Sequence, residues 1–265
     1  MQSSKERVLL QIKDNQIAYV ILNNPDKHNA FDNSMIATLT KIFNEIALNQ
    51  EIRVMVLMAN GKSFCAGADL NWMKSMADYS YQENVTDANA MALMLSTLNS
   101  LPLPTIAQIQ GPVFGGGVGL ASCCDMVFAT KRSNFCLSEV KLGLIPATIS
   151  PYVINAIGMS ACRRYFQTAE RFSAQKAKEL GLVDEVIEQD ELDLTVSNVI
   201  QNLLKNGPDA VRQAKQLIFD VAGREINSQL LTQTSESIAA IRVSSQGQEG
   251  LNAFFSQRDP NWIVN

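Results

Sequence analysis

Two hydrophobic rhythms alternate along the first half of the chain, short apolar runs of strand length and longer stretches with helical spacing. Val8–Lys13 and Ile17–Leu22 are apolar-rich runs separated by Asp14-Asn15-Gln16, which predicts two strands joined as a hairpin. Asp32 then stands as the N-cap of a helix whose inward face is Met35, Ile36, Leu39, Ile42, Phe43 and Ile46. Residues 53–59 are almost continuously apolar, as expected of a strand covered on both faces. A small-residue loop at 60–70 leads to a predicted helix at 83–100, ended by Pro102 and Pro104. Thr105–Ile109 reads as a strand, 111–117 as a glycine-rich turn, 118–123 as a helix and Met126–Thr130 as a strand. From Pro146 onward the pattern predicts helices almost throughout, with helix-spaced apolar residues at 190–204, Pro208–Val221, 226–243 and 246–255. The reading is an α/β core, 1–200, followed by a helical region, 201–265.

Composition narrows the function. Of 265 residues 46% are hydrophobic and 18% charged, so a sizeable core can be buried and disorder is not expected. A net charge of -4 with no basic run argues against nucleic acid as a partner. Residues 1–7 are polar and no apolar run reaches bilayer length, so neither a signal peptide nor a membrane is expected. Five cysteines, two of them adjacent and none in a CxxC pair, suggest reduced thiols in a cytoplasmic protein. The single histidine, His28, excludes an HExxH zinc site, and no GxSxG elbow accompanies it for a hydrolase triad. No metal and no separate cofactor is expected. Gly61-Lys62-Ser63 lacks the earlier P-loop glycine, where Val56 stands, and Gly115 to Gly119 lacks the last glycine of a dinucleotide fingerprint, where Leu120 stands.

Two loops remain: Phe64-Cys65-Ala66-Gly67-Ala68-Asp69-Leu70 after one strand, and Gly115-Gly116-Gly117 after another, opening a helix. Small residues let a ligand approach the backbone, and a helix N-terminus offers unpaired N–H groups. Two such groups can stabilise a thioester enolate, each worth roughly 3–4 kcal/mol of barrier. The alternative is a pair of tight turns packed for structure alone.

The ordered set of motifs decides between these. Asn24-Pro25-Asp26-Lys27-His28-Asn29-Ala30-Phe31, the AGAD loop, Gly111 to Gly117 with Cys124-Asp125, Phe135-Cys136-Leu137-Ser138-Glu139 with Gly143-Leu144-Ile145-Pro146, the Ala177/Leu180/Gly181/Leu182 pattern and Glu249-Gly250-Leu251-Asn252-Ala253-Phe254 resemble the crotonase (enoyl-CoA hydratase/isomerase) superfamily over almost the whole chain. The resemblance implies a crotonase-like core of repeated ββα units with a helical C-terminal trimerisation region, assembled as a homotrimer or dimer of trimers. It implies an acyl-CoA substrate, with CoA entering as part of that substrate. It places oxyanion donors at the N–H groups of Ala66 and Gly116, and CoA contacts at Lys27, Asn29, Ala30, Ala68, Asp69, Leu70 and, for the adenine, Phe254. Glu139 is the implied acid/base.

The second glutamate usual in family hydratases is absent: its position is Gly119. Shuttling a proton between C2 and C4, as Δ3,Δ2-enoyl-CoA isomerases do, needs one carboxylate, whereas hydration must also hold a water. Segments such as FCAGADLNWM at 64–73, Ile149-Ser150-Pro151-Tyr152-Val153 and Arg163-Arg164-Tyr165 are nevertheless similar to bacterial 3-methylglutaconyl-CoA hydratases of leucine catabolism and to isohexenylglutaconyl-CoA hydratases. The expectation is therefore hydration of a branched glutaconyl-type acyl-CoA, with the substrate's second carboxylate or Ser150 positioning water beside Gly119. The alternatives are an isomerase and a non-catalytic acyl-CoA-binding homologue.

Overall fold

In the computed structural model, which describes residues 6–14 and 16–263, the first two predicted strands form as β1 (Val8–Lys13) and β2 (Ile17–Leu22). They pair antiparallel, with Val8 opposite Leu22 and Lys13 opposite Ile17. Asn15 of the expected turn lies outside the described residues. The Asp32 side chain accepts from the Met35 N–H and starts α1 (Asn33–Leu48), whose six predicted apolar positions are all buried. There follow β3 (Val54–Ala59), α2 (Leu70–Met76), α3 (Tyr81–Asn99), β4 (Thr105–Ile109), β5 (Val113–Phe114), α4 (Gly116–Cys123), β6 (Met126–Thr130) and β7 (Asn134–Cys136). After them come α5 (Ser150–Thr168), broken by Gly158 at φ 76°, then β8 (Phe172–Ser173), α6 (Ala174–Glu179), β9 (Glu185–Ile187), α7 (Leu192–Leu204), α8 (Pro208–Val221), α9 (Ser228–Val243) and α10 (Ser245–Phe255).

Two compact units result. The first runs to Leu101 and resumes over Thr105–Val196. It holds a six-stranded sheet in the order β1-β2-β3-β4-β6-β9, parallel from β2 onward. Strands β3 and β4 lie in its middle and are almost wholly buried, which explains their continuous apolar sequence. A smaller sheet, β5-β7-β8, pairs β5 with β7 in parallel and β7 with β8 antiparallel. Strands β8 and β9 are the exceptions in a chain expected to be almost wholly helical after Pro146. At two and three residues they are too short to print an alternating pattern.

The second unit comprises Pro102–Pro104 and the chain from Ser197. Within it α10 packs on α8 and α9, and Lys215 is buried with its Nζ donating to the Leu103 carbonyl at 3.0 Å. Many of its large apolar side chains face outward, among them Ile218, Phe219, Leu231, Phe254 and Phe255.

Candidate active site

The loops that follow β3 and β4 leave the carboxyl ends of adjacent parallel strands, where open α/β sheets bind ligands. The loop after β3 is stitched to the segment before α1. Asn29, fully buried, donates through Nδ2 to the carbonyls of Asn60 and Ser63, both at 2.9 Å. His28 Nδ1 lies 3.0 Å from Ser63 Oγ. Phe31 and Ala68 form a parallel bridge, in which the Phe31 N–H donates to the Gly67 carbonyl and the Asp69 N–H to the Phe31 carbonyl, each at 2.7 Å.

This stitching corrects one donor assignment. The Ala66 N–H donates to the His28 carbonyl at 3.0 Å, so it is already committed. The Ala68 N–H has no acceptor among the described residues, because Phe31 bonds the peptide groups on either side of it. Ala68 is half-buried at the surface of the loop. The outward-facing N–H of the AGAD loop is therefore that of the alanine after the glycine.

Across from it, Gly115 turns the chain with φ 50°, a left-handed value suited to glycine, and its own N–H donates to the Cys136 carbonyl at 2.9 Å. Gly116 opens α4, and its N–H has no acceptor among the described residues, as befits the first turn of a helix. The two loops touch: a Cβ built on Gly67 lies 3.3 Å from the Phe114 carbonyl oxygen and 3.9 Å from Gly115 Cα. Behind Gly116 stand Met91 Cε and Phe31 Cε2, at 2.8 and 2.9 Å from where its Cβ would be. Cys65 backs Gly117 in the same way, 2.8 Å from that glycine's Cβ position. Burial pushes the Cys65 thiol up to about 12, so it is packing material and not a nucleophile.

Glu139 follows β7 and opens a 3-10 turn, Glu139–Leu142. Its Oε1 lies 3.2 Å from the Cβ position of Gly115, so the carboxyl group faces the glycine turn. Its Oε2 is buried without a hydrogen-bond partner. Burial raises its pKa above the ordinary 4.5, with its own backbone N–H acting weakly the other way. The residues that follow it in sequence, Leu142, Leu144 and Ile145, are exposed and apolar.

Gly119 is buried one turn into α4, and its missing side chain is replaced by neighbours: a Cβ there would lie 2.3 Å from Ile149 Cγ2 and 3.5 Å from Leu95 Cδ2. Both neighbours are buried, so the space for a side chain at 119 is filled with hydrocarbon. Ser150, next to Ile149, donates its hydroxyl proton to the Ala147 carbonyl at 2.8 Å and can meet a water only as an acceptor.

The remaining sequence-selected residues fall in different settings. Lys27 Nζ donates to Asp69 Oδ2 at 2.6 Å. Asp69 is 7% exposed, and that bond lowers the pKa of its carboxyl group. The other Asp69 oxygen caps α2 at the N–H groups of Asn71 and Trp72. Ala30 is buried and Leu70 exposed. Phe254, on α10 of the second unit, is exposed and edge-on to Phe255, ring centres 5.7 Å apart. Among the described residues no cluster of His, Cys, Asp or Glu is arranged to hold a metal, and no helix is long and apolar enough to cross a membrane. Sequence reading missed Phe31, Met91, Leu95 and Ile149 as parts of the site. Phe31 and Ile149 stand inside motif segments but without an assigned role, and Met91 and Leu95 are marked only by their place in a helix.

Known proteins share this sequence pattern and fold. The chain matches the Enoyl-CoA hydratase/isomerase family over residues 12–265. A solved enoyl-CoA hydratase from Shewanella pealeana superposes with a TM-score of 0.93 at 46% identity, covering 97% of this chain and 96% of that one. Enoyl-CoA hydratase ACTT6 of Alternaria alternata is 33% identical over 89% of this chain and 77% of its own length. The 2,3-dehydroadipyl-CoA hydratase of Escherichia coli is 28% identical over 96% of this chain and 98% of its own. The mixed α/β core with a largely parallel sheet and C-terminal helices is the crotonase fold. By sequence and fold together, this chain belongs to the enoyl-CoA hydratase/isomerase family.

Proposed function

We propose that this protein is an enoyl-CoA hydratase that adds water across the C2=C3 bond of a branched glutaconyl-type thioester such as 3-methylglutaconyl-CoA. The observation that carries the reading is Glu139: a buried carboxyl group with an unpartnered oxygen, raised pKa and a position against the Gly115 turn. The thioester oxygen accepts from the N–H groups of Ala68 and Gly116, each worth roughly 3–4 kcal/mol as the enolate forms. Glu139 starts as the carboxylate. It removes a proton from water as the water oxygen bonds to C3 and the π electrons move into the thioester enolate. The enolate then takes that proton from Glu139 at C2. Water has been added and the carboxylate regenerated, so one acid/base suffices if both transfers occur on one face.

The hydrocarbon beside Gly119 offers water no protein acceptor, which supports a role for a second carboxylate carried by the substrate. A relative named for 2,3-dehydroadipyl-CoA, whose acyl chain ends in a carboxylate, agrees with that substrate class. The same hydrocarbon wall favours a second reading, Δ3,Δ2-isomerisation, in which Glu139 moves one proton between C2 and C4 and no water need be held. The outward apolar side chains of the second unit support assembly into a homotrimer or a dimer of trimers.

The absorbance of the conjugated enoyl thioester separates these readings. Its loss from 3-methylglutaconyl-CoA, faster than from crotonyl-CoA, is the expected result. Equal rates on the two remove the case for substrate assistance, and a gain from a 3-enoyl-CoA makes the protein an isomerase. Binding without any change would mark a non-catalytic homologue.

A further inference from the structure

The ion pair between Lys27 and Asp69 involves the residue next to the proposed oxyanion donor, and the other Asp69 oxygen anchors the start of α2 right after that donor's loop. Gly67 C=O and Ala68 N–H belong to one planar trans peptide, so they point in opposite directions. The Phe31 N–H holds the carbonyl at 2.7 Å and thereby aims the Ala68 N–H away from Phe31. Gly67, at φ 88°, is the residue least able to resist rotation of that peptide. A flip would replace the N–H with a carbonyl oxygen.

What prevents the flip must come from outside the loop. Asp69 is fixed from three directions: its N–H on Phe31, one carboxylate oxygen on the start of α2, and the other on Lys27. Lys27 itself sits in the 3-10 turn Pro25–Lys27, which is followed by two consecutive left-handed residues, His28 at φ 52° and Asn29 at φ 56°. Such a backbone is costly for side-chain-bearing residues and persists because Asn29 and His28 are bonded to the loop after β3. Lys27 therefore grows from a rigid base, and with Asp69 at 7% exposure its ammonium is the charge that balances a nearly buried carboxylate.

We propose that Lys27 is a positioning residue: through Asp69 it holds the Gly67–Ala68 peptide in the orientation that presents the Ala68 N–H to the thioester oxygen, and it does not serve as a contact for the CoA phosphates. This rests on the oxyanion role given above to Ala68.

Two readouts test it. The first compares kcat and KM of Lys27→Met, Lys27→Arg and Asp69→Asn on an enoyl-CoA and on the matching enoyl-pantetheine, which lacks the nucleotide and its phosphates. The second is the carbonyl ¹³C shift of bound butyryl-CoA labelled at C1, which reports polarisation of the thioester without turnover. Lys27→Met is expected to lose kcat by about 10- to 100-fold on both substrates, the scale of a misplaced catalytic group. KM should barely change, the bound ¹³C shift should move back toward that of free ligand, and Lys27→Arg should recover most of both. Should Lys27→Met not fold, Asp69→Asn carries the test, because its side-chain oxygen still caps α2 while the ion pair is gone; the same return of the ¹³C shift is expected. The proposal is overturned if the ¹³C shift is unchanged and the defect is a raised KM confined to the CoA substrate, for that pattern belongs to a phosphate contact. A wild-type protein that polarises the label but turns over no enoyl-CoA would sink the hydratase reading and leave the clamp standing.

Discussion

Glu139 sits in surroundings that bury its carboxyl group and leave one of its oxygens without a partner, and its stability consequences follow from that. Its folded pKa is raised, so ionisation is harder in the native state than in the unfolded chain. The sign is fixed: stability is fullest below the unfolded carboxyl value and is lost as pH rises through the folded one. Glu139→Gln, which cannot ionise, should melt above the wild type at about pH 8 and approach it near pH 4. Thermal melts across that range check this, and a gap that widens on acidification would contradict it. Gly119 gives a second residue-scale expectation. Gly119→Glu should cost about 1–3 kcal/mol of stability, because its Cβ meets Ile149 Cγ2 at 2.3 Å, and Ile149→Ala should relieve most of that loss in the double variant. Denaturant titration of the three variants measures it. At this scale the sequence nominated Glu139 and Gly116 and showed a glycine at 119, since each is a residue type at a motif position. It pointed to Ala66 for the other donor, and the structure shows that N–H bonded to His28. Which N–H of a loop faces outward depends on a partner segment more than thirty residues earlier, and no local pattern records that.

Helix α4 presents its N-terminus beside the loop after β3, where the proposed chemistry is placed. Its approach requires no side chain at Gly116, where a Cβ would meet Met91 Cε at 2.8 Å and the buried Phe31 ring at 2.9 Å. Gly116→Ala should therefore shift the donor and lower kcat by about 100-fold, with affinity for a saturated acyl-CoA little changed. Steady-state kinetics with a parallel titration separates the two, and an unaltered kcat would show that this N–H is not used. The elements legible in sequence are the long ones. The apolar face of α1 and the buried runs of β3 and β4 lie where periodicity places them. Helix α2 was not anticipated because none of its residues is buried, so it carries no inward stripe. Strands β5, β8 and β9 are two or three residues long, and their pairing is decided by distant partners.

For the molecule as a whole, the proposed trimer or dimer of trimers would cover the exposed apolar residues of the second unit. Sedimentation velocity should find a species of three or six chains, and Phe255→Asp, at an exposed apolar site, should shift it toward smaller ones; a monomeric wild type would contradict this. Family membership fixes the class of chemistry, while the substrate and the reaction rest on how one carboxyl group is used. The central claim is that Glu139 alone moves the proton. Its most direct test is the rate of loss of enoyl-thioester absorbance by wild type and Glu139→Gln, with affinity for a saturated acyl-CoA measured on both. The account expects turnover about a thousandfold slower in the variant with unchanged affinity. A Glu139→Gln protein that hydrates at the wild-type rate would contradict it.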